Sequence, residues 1–327
     1  MDLKLLKILR CTACYGQLTC HADLTDHKNR VIDGILTCCD CHKTYPIIRS
    51  IPRFVEMENY GSSFGYQWNL YKYTQVDKFS GINHSEERFL TETQWTQESL
   101  KDNWVLDAGC GNGRFLEVCS RFDCDVVGID ISSAIDAAGE LFKERDNVHL
   151  IQASIYELPF AKEFFDKCYS IGVIQHTPDP AKSVETLPQF LKQKGQLALT
   201  IYERKLVTPL YAKYWIRPLT KRLNQKVLLK SIKILSPVLF PVTDLLFRIP
   251  ILNKIFKFII PYANYVDMKK LSTKQRYEWA ILDTFDMLSP AFDLPMTERE
   301  VRNSLEKVAM KNITRLDNLG LNVIAMR

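Results

Sequence analysis

The stretch Val105-Leu-Asp-Ala-Gly-Cys-Gly-Asn-Gly-Arg-Phe115 decides the fold. Its apolar start reads as a buried strand ending at Asp107, and a helix is expected to begin near Arg114. Between them lies a glycine-rich loop. Gly109, Gly111 and Gly113 allow a sharp turn and a close approach of backbone to a ligand. About twenty residues on, Val126-Val-Gly-Ile-Asp130 reads as a second buried strand ending in a carboxylate. An acid at that place can accept hydrogen bonds from both hydroxyls of a ribose, so the pattern implies a nucleoside cofactor.

The glycine spacing narrows the choice. Dinucleotide folds use G-x-G-x-x-G, with pyrophosphate at the helix end. Here the spacing is Gly109-x-Gly111-x-Gly113, preceded by Asp107. An acid that can orient an ammonium group has little use beside a pyrophosphate. The combination suits S-adenosylmethionine (SAM).

On these residues the chain resembles the class I SAM-dependent methyltransferases, in the branch of the ubiquinone and menaquinone enzymes. The resemblance runs from about Tyr60 to Ile201 and resumes near Tyr277. Leu150-Ile-Gln-Ala-Ser-Ile-Tyr-Glu-Leu-Pro-Phe160 resembles the third strand and the loop over the adenine. Phe164 to Thr177 resembles the fourth strand and the loop facing the methyl group, and Gly195 to Ile201 the fifth strand. The resemblance implies an α/β Rossmann-like sheet. It assigns cofactor contacts to Asp107, Gly109, Gly111, Gly113, Asp130, Ile131, Ser154, Ile155 and Ile171. Members of this family usually carry an acid near position 154; Ser154 departs from that. A further segment, Phe64-Gly-Tyr-Gln-Trp-Asn-Leu70, resembles one that folds over the cofactor, which would bring in Tyr66 and Trp68; core packing is the other reading of it.

The first residues form a separate pattern. Cys11-x-x-Cys14 and Cys38-x-x-Cys41 are separated by 23 residues. Paired knuckles of this kind point to a closed tetrathiolate zinc site, structural rather than catalytic. Cys20, His21, Cys39 and His42 lie close enough to substitute as ligands. The run Cys41 to Pro52 resembles the small zinc ribbon that activates tRNA and protein methyltransferases, here joined to a methyltransferase in one chain. The expected organisation is a zinc ribbon over 1–58, a SAM-binding core over 59–203, a helical cap over 204–276, and the rest of the core over 277–327.

Composition agrees with more than one unit. A chain of 327 residues is about two domains long. The ten cysteines occur as C-x-x-C pairs and scattered singles, which is not a disulfide framework. Met1-Asp-Leu-Lys4 does not read as a secretory leader. A cytoplasmic setting, with peripheral membrane contact as a variant, is the expectation.

Charge is unevenly spread. Residues 204–276 hold 16 Lys and Arg against Asp244 and Asp267, a net +14. The whole chain carries +5, so the remainder carries −9. This insertion is also apolar. Lys226, Lys230 and Lys233 share one helical face, while Leu228, Ile232 and Leu235 share another. Prolines at 237, 241, 250 and 261 are expected to break it into short helices. Only ten uncharged residues separate Lys233 from Asp244, too few to cross a bilayer. Three readings stand: a cap with its basic side in solvent, a surface for anionic membrane, or a grip on a phosphate-rich partner such as RNA. In each, the insertion follows the fifth strand and so lies where substrate binds.

Methyl transfer needs a nucleophile held in line and, for a hydroxyl, a base. His176, in Ile174-Gln-His-Thr-Pro-Asp179, is the candidate base, because imidazole is suited to taking a proton near neutral pH; bracing the loop is its other reading. Gln175, Asp283 and Asp286 are candidates for acceptor contacts. Asp283 and Asp286, three residues apart, share a helical face and are instead expected to pair with the basic cap on the alternative reading. The chain is therefore expected to methylate a small-molecule, glycan or lipid-linked acceptor. An RNA methyltransferase gripping phosphates with ribbon and cap is one alternative. A catalytically degenerate scaffold is another. No obligate protein partner is evident.

Overall fold

In the computed structural model, which describes residues 1–56, 59–318 and 320–327, two sheets share one apolar core. The expected boundary after residue 58 falls on residues outside that description. After one turn of 3₁₀-helix, Leu3–Lys7, the chain builds a four-stranded antiparallel sheet. Its strands are β1 (Leu18–Thr25), β2 (Val31–Cys38), β3 (Thr44–Ile48) and β4 (Ile51–Pro52), in that spatial order. The helices α1 (Ser62–Leu70), α2 (Asp77–Ser80), α3 (His84–Thr93) and α4 (Gln97–Leu100) lead into the second sheet.

That sheet alternates strands and helices: β5 (Trp104–Ala108), α5 (Arg114–Cys119), β6 (Asp125–Asp130), α6 (Ala134–Leu141), β7 (Val148–Gln152), β8 (Phe165–Ile171), α7 (Pro180–Thr186) and β9 (Leu191–Ile201). The insertion supplies α8 (Ala212–Thr220), α9 (Gln225–Leu246) and α10 (Leu252–Ile259). The chain closes with α11 (Thr273–Leu288), α12 (Glu298–Lys307) and the hairpin β10 (Lys311–Arg315) and β11 (Leu321–Met326). The spatial order is β10-β11-β9-β8-β5-β6-β7. Strands β5 to β9 pair in parallel, and β11 runs antiparallel to β9. Buried on both faces, β5 and β6 need the near-continuous apolar runs seen in their sequences. This is the expected Rossmann-like sheet. Its direction of winding reverses between β5 and β8, which opens a crevice at their carboxyl ends.

The small sheet closes the open edge at β7. Arg53, after β4, forms a parallel bridge with Gln152, and the Phe54 N–H donates to the Gln152 carbonyl at 2.8 Å. Leu9 bridges Phe160. Leu5, Leu9, Leu36 and Tyr45 share a buried cluster with Ile151, Ile155 and Phe160. Covering an exposed strand edge removes a site for unwanted pairing.

The insertion corrects one expectation. Prolines 250 and 261 lie between helices, but Pro237 and Pro241 lie inside α9, which runs unbroken for 22 residues. Each proline removes one donor, leaving the carbonyls of Lys233 and Pro237 without a helical partner. Lys233, Pro237 and Pro241 are all exposed, so water can take those carbonyls. On the opposite face Leu229, Ile232, Ser236 and Phe240 are buried, and Leu228, Leu229 and Ile232 pack with Ile281 and Phe285 of α11. That packing outweighs a penalty of about 3 kcal/mol per interior proline.

Candidate active site

A cavity of about 1010 Å³ lies at the carboxyl ends of β5, β6 and β8. One side is built by the glycine loop. Gly109 has φ +94°, and a Cβ there would lie 2.3 Å from Val173, so only glycine fits. The N–H groups of Gly109 and Cys110 both donate to the Ile129 carbonyl at 2.8 Å, which ties the loop to β6. Gly111 also lines the cavity, next to Trp68.

Asp130 faces this space and is firmly held. One carboxylate oxygen accepts the Gly111 N–H at 2.9 Å; the other accepts the Ser132 N–H at 2.8 Å and its hydroxyl at 2.6 Å. Burial still pushes its carboxyl above the usual range. A carboxylate has about four lone-pair sites, so one remains for a further donor such as a ribose hydroxyl. Ile131, Ile155 and Ile171 line the same part of the cavity. An acceptor carboxylate beside apolar walls and a loop that admits no Cβ fits the nucleoside end of SAM.

Other residues assigned from the sequence stand back from the cavity. Asp107 is buried beneath the loop, where its carboxylate accepts the Tyr169 hydroxyl at 2.9 Å; burial drives its carboxyl well up. Gly113 has φ +86°, and its missing Cβ makes room for Phe142, at 2.4 Å from where that atom would sit. The Ser154 hydroxyl accepts the Tyr156 N–H at 3.2 Å and shapes its own loop. Tyr66 packs into the cluster between α9 and α11. Gln175 is fully buried, and its carbonyl accepts the Leu294 N–H at 2.7 Å.

His176 does reach the cavity. Its Nδ1 lies 3.0 Å from the Phe292 carbonyl, and its ring stands against Phe64 and edge-on to Tyr202, with centroids 5.0 and 5.5 Å apart. Asp283 and Asp286 line the same space from α11. Neither forms an ion pair with the basic insertion among the described residues. Asp283 accepts Gln75 Nε2 at 3.1 Å, and Gln75 Oε1 accepts Arg114 Nη1 at 2.6 Å. Burial, reinforced by Asp286, pushes the Asp283 carboxyl up to about 7. Burial raises Asp286 as well. Other carboxylates do pair with the insertion: Asp293 accepts Lys213 Nζ at 2.8 Å, and Glu87, which lines the cavity, accepts Lys270 Nζ at 2.6 Å.

Several lining residues carried no signal in the sequence. Tyr60, His84 and Arg88 come from the segment before the glycine loop. Burial lowers His84 to about 4, so its imidazole is neutral. From the insertion, Lys213, Tyr265 and Met268 also line the cavity.

In the small N-terminal unit the sulfurs of Cys11, Cys14, Cys38 and Cys41 lie within 4.8 Å of one another. Cys14 and Cys38 are 3.4 Å apart, and Cys11 and Cys41 3.6 Å. Thiolates about 2.3 Å from a tetrahedral zinc stand roughly 3.8 Å apart, so the four sulfurs fit such an ion. Cys20, His21, Cys39 and His42 do not join the cluster.

Similarity to known proteins centres on the glycine loop and the strands that follow it. The family described as "Methyltransferase domain" matches residues 106–199. The ubiquinone biosynthesis O-methyltransferase of Acinetobacter baumannii is 31% identical over 169 residues, which covers 45% of this chain and 71% of that protein. The protein of the same name from Pseudomonas aeruginosa is 28% identical over 160 residues, covering 41% and 69%. Among solved structures, a SAM-dependent methyltransferase from Aquifex aeolicus covers 80% of this chain and 97% of its own, at 14% identity and a TM-score of 0.41.

Proposed function

The chain belongs to the class I SAM-dependent methyltransferases, and from that premise we propose that it methylates a hydroxyl of a small-molecule, glycan or lipid-linked acceptor, with His176 as the base. The observation that carries this reading is the bond between His176 Nδ1 and the Phe292 carbonyl. A carbonyl only accepts, so Nδ1 carries a proton, and the neutral imidazole then has its lone pair on Nε2. The ring lines the cavity, where that lone pair can take a proton from a hydroxyl. The relatives named O-methyltransferases favour oxygen as the atom methylated.

SAM, when bound, supplies a methyl carbon on a sulfonium, open to in-line attack with the thioether as leaving group. The chain's own residues bind, orient and exclude water. Asp130 accepts from the ribose, Ile131 and Ile155 give the base an apolar bed, and Trp68 closes the space beside Gly111. Asp283 and Asp286 face the acceptor side, where carboxyl groups suit a polar head with hydroxyls. The four cysteines would hold a zinc ion that stabilises the ribbon, whose sheet packs on the edge of the large one.

Calorimetric titration with SAM, with NAD as control, tests the cofactor site. Release of S-adenosylhomocysteine in the presence of phenolic, catecholic and glycosyl hydroxyl compounds tests the acceptor class. SAM binding with turnover of a hydroxyl compound is expected. Turnover of RNA alone would overturn the acceptor assignment.

A further inference from the structure

The outer faces of α8 and α10 are apolar where solvent favours polar groups. Trp215 and Leu219, one turn apart on α8, are 70% and 71% exposed. Ile255 and Ile259, one turn apart on α10, are each 53% exposed, and Ile251, just before the helix, is 84% exposed. No residue of α10 is buried, so this helix does not spend its apolar stripe on the core. The two helices touch through Tyr211 and Phe258, whose ring centroids are 4.5 Å apart. Tyr211 precedes Trp215 by one turn, and Phe258 precedes Ile259, so the two stripes adjoin. Single exposed apolar residues are ordinary, but an adjoining set of this size marks a contact surface.

Charge selects the partner. Lys221, Arg222, Lys226, Lys230, Lys233 and Lys254 are exposed and have no carboxylate partner among the described residues. Lys254 lies on α10, and Lys221 and Arg222 directly follow α8; the other three lie on α9, in the same insertion of net +14. Nucleic acid would use the cations but leave the isoleucine stripe in water. A bilayer with anionic head groups uses both: apolar side chains enter the acyl boundary, and lysines meet lipid phosphates. No helix among the described residues is long and apolar enough to cross a membrane, so contact would be at the surface.

We propose that α8 and α10, with their flanking cations, form a docking surface for an anionic lipid bilayer. Lys213 on α8 and Tyr265 after α10 also line the cavity, so one insertion faces both the bilayer and the acceptor space. Resting on the methyltransferase reading of that cavity, the acceptor is then a hydroxylated head group on an apolar chain.

The test is co-sedimentation of the full chain with vesicles of phosphatidylcholine alone and of phosphatidylcholine mixed with phosphatidylglycerol. The wild type should pellet with the mixed vesicles and not with the neutral ones. The double variant Trp215→Ser, Ile255→Ser should lose binding by roughly tenfold or more, given the apolar area withdrawn. Lys221→Gln combined with Arg222→Gln and Lys254→Gln should weaken binding and flatten its salt dependence. SAM affinity, measured on the same samples, should stay unchanged in all variants, which separates this proposal from the methyltransferase reading. Absence of pelleting with either vesicle overturns the proposal. So does a wild-type dimer that the double variant dissolves without any vesicle effect, or binding to an RNA oligomer that outcompetes the mixed vesicles.

Discussion

His176 and Phe292 are joined by a hydrogen bond of 3.0 Å from the ring's Nδ1 to a backbone carbonyl. The bond links the loop after β8 to the segment after α11 and sets the imidazole's tautomer. If the ring only braced that loop, any side chain that kept the loop in place would serve.

Replacing His176 by Ala is therefore expected to lower turnover by about 10²–10⁴-fold, the usual weight of a general base, while SAM affinity stays within about twofold, since the base acts on the acceptor. Steady-state rates beside calorimetric SAM binding check this. Full turnover in the variant would make His176 a bracing residue.

Asp130 and Asp107 separate a carboxylate that faces the cavity from one that lies beneath it. Asp130→Ala should weaken SAM binding by about 1–3 kcal/mol, as for a lost charge-assisted hydrogen bond. Asp107→Asn keeps an acceptor for the Tyr169 hydroxyl and should change SAM affinity far less, because Asp107 does not line the cavity. Titrating both variants with SAM gives the ranking, and a larger loss for Asp107→Asn would reverse the placement.

How much of this was legible in the sequence depended on whether the determinant was local. The β5 loop and β6 announce themselves through apolar runs, glycines and terminal acids within a few residues. The four cysteines do so through spacing. Thr297 and Glu300 form a capping box at the start of α12 with both its bonds made, a motif that spans only four residues. Gly113 reads as part of the β5 loop, but its packing role was not legible, because the ring that its missing Cβ admits, Phe142, lies at the end of α6. The link from Arg114 through Gln75 to Asp283 joins residues far apart in the chain, and no periodicity reports it. Pro237 and Pro241 misled because proline chemistry is local, whereas the face on which a proline falls is decided by packing against α11.

Gly113→Ala tests the packing role of that glycine. An alanine must adopt φ +86° and place its Cβ 2.4 Å from the Phe142 ring. The two costs together should destabilise the fold by about 2–4 kcal/mol. Denaturant unfolding measures it, and SAM affinity of the folded fraction should hardly move.

The cysteine cluster predicts a coupled loss of metal and stability. The wild type should hold about one zinc per chain, and Cys38→Ser should lose it, since a tetrathiolate site needs all four sulfurs. The ribbon shares buried contacts with Ile151, Ile155 and Phe160, so the melting temperature should fall by several degrees, on the order of 1–3 kcal/mol. Elemental analysis finding no zinc in the wild type would remove the metal assignment.

Asp283 makes stability depend on pH with a definite sign. Its carboxyl is raised from 3.8 to about 7 by burial and by Asp286, so the folded chain holds this proton where the unfolded chain releases it. The stability it contributes is fully present below the unfolded value and is lost as pH rises through about 7. Asp283→Asn cannot ionise, and its side-chain oxygen can still accept Gln75. The variant should therefore gain on the wild type between about pH 4 and pH 8, by about 1–3 kcal/mol once water in the cavity is allowed for. Thermal unfolding of both proteins across that range reads the difference. A gap that stays constant with pH would mean that Asp283 is ionised throughout and that Arg114, reached through Gln75, compensates its charge.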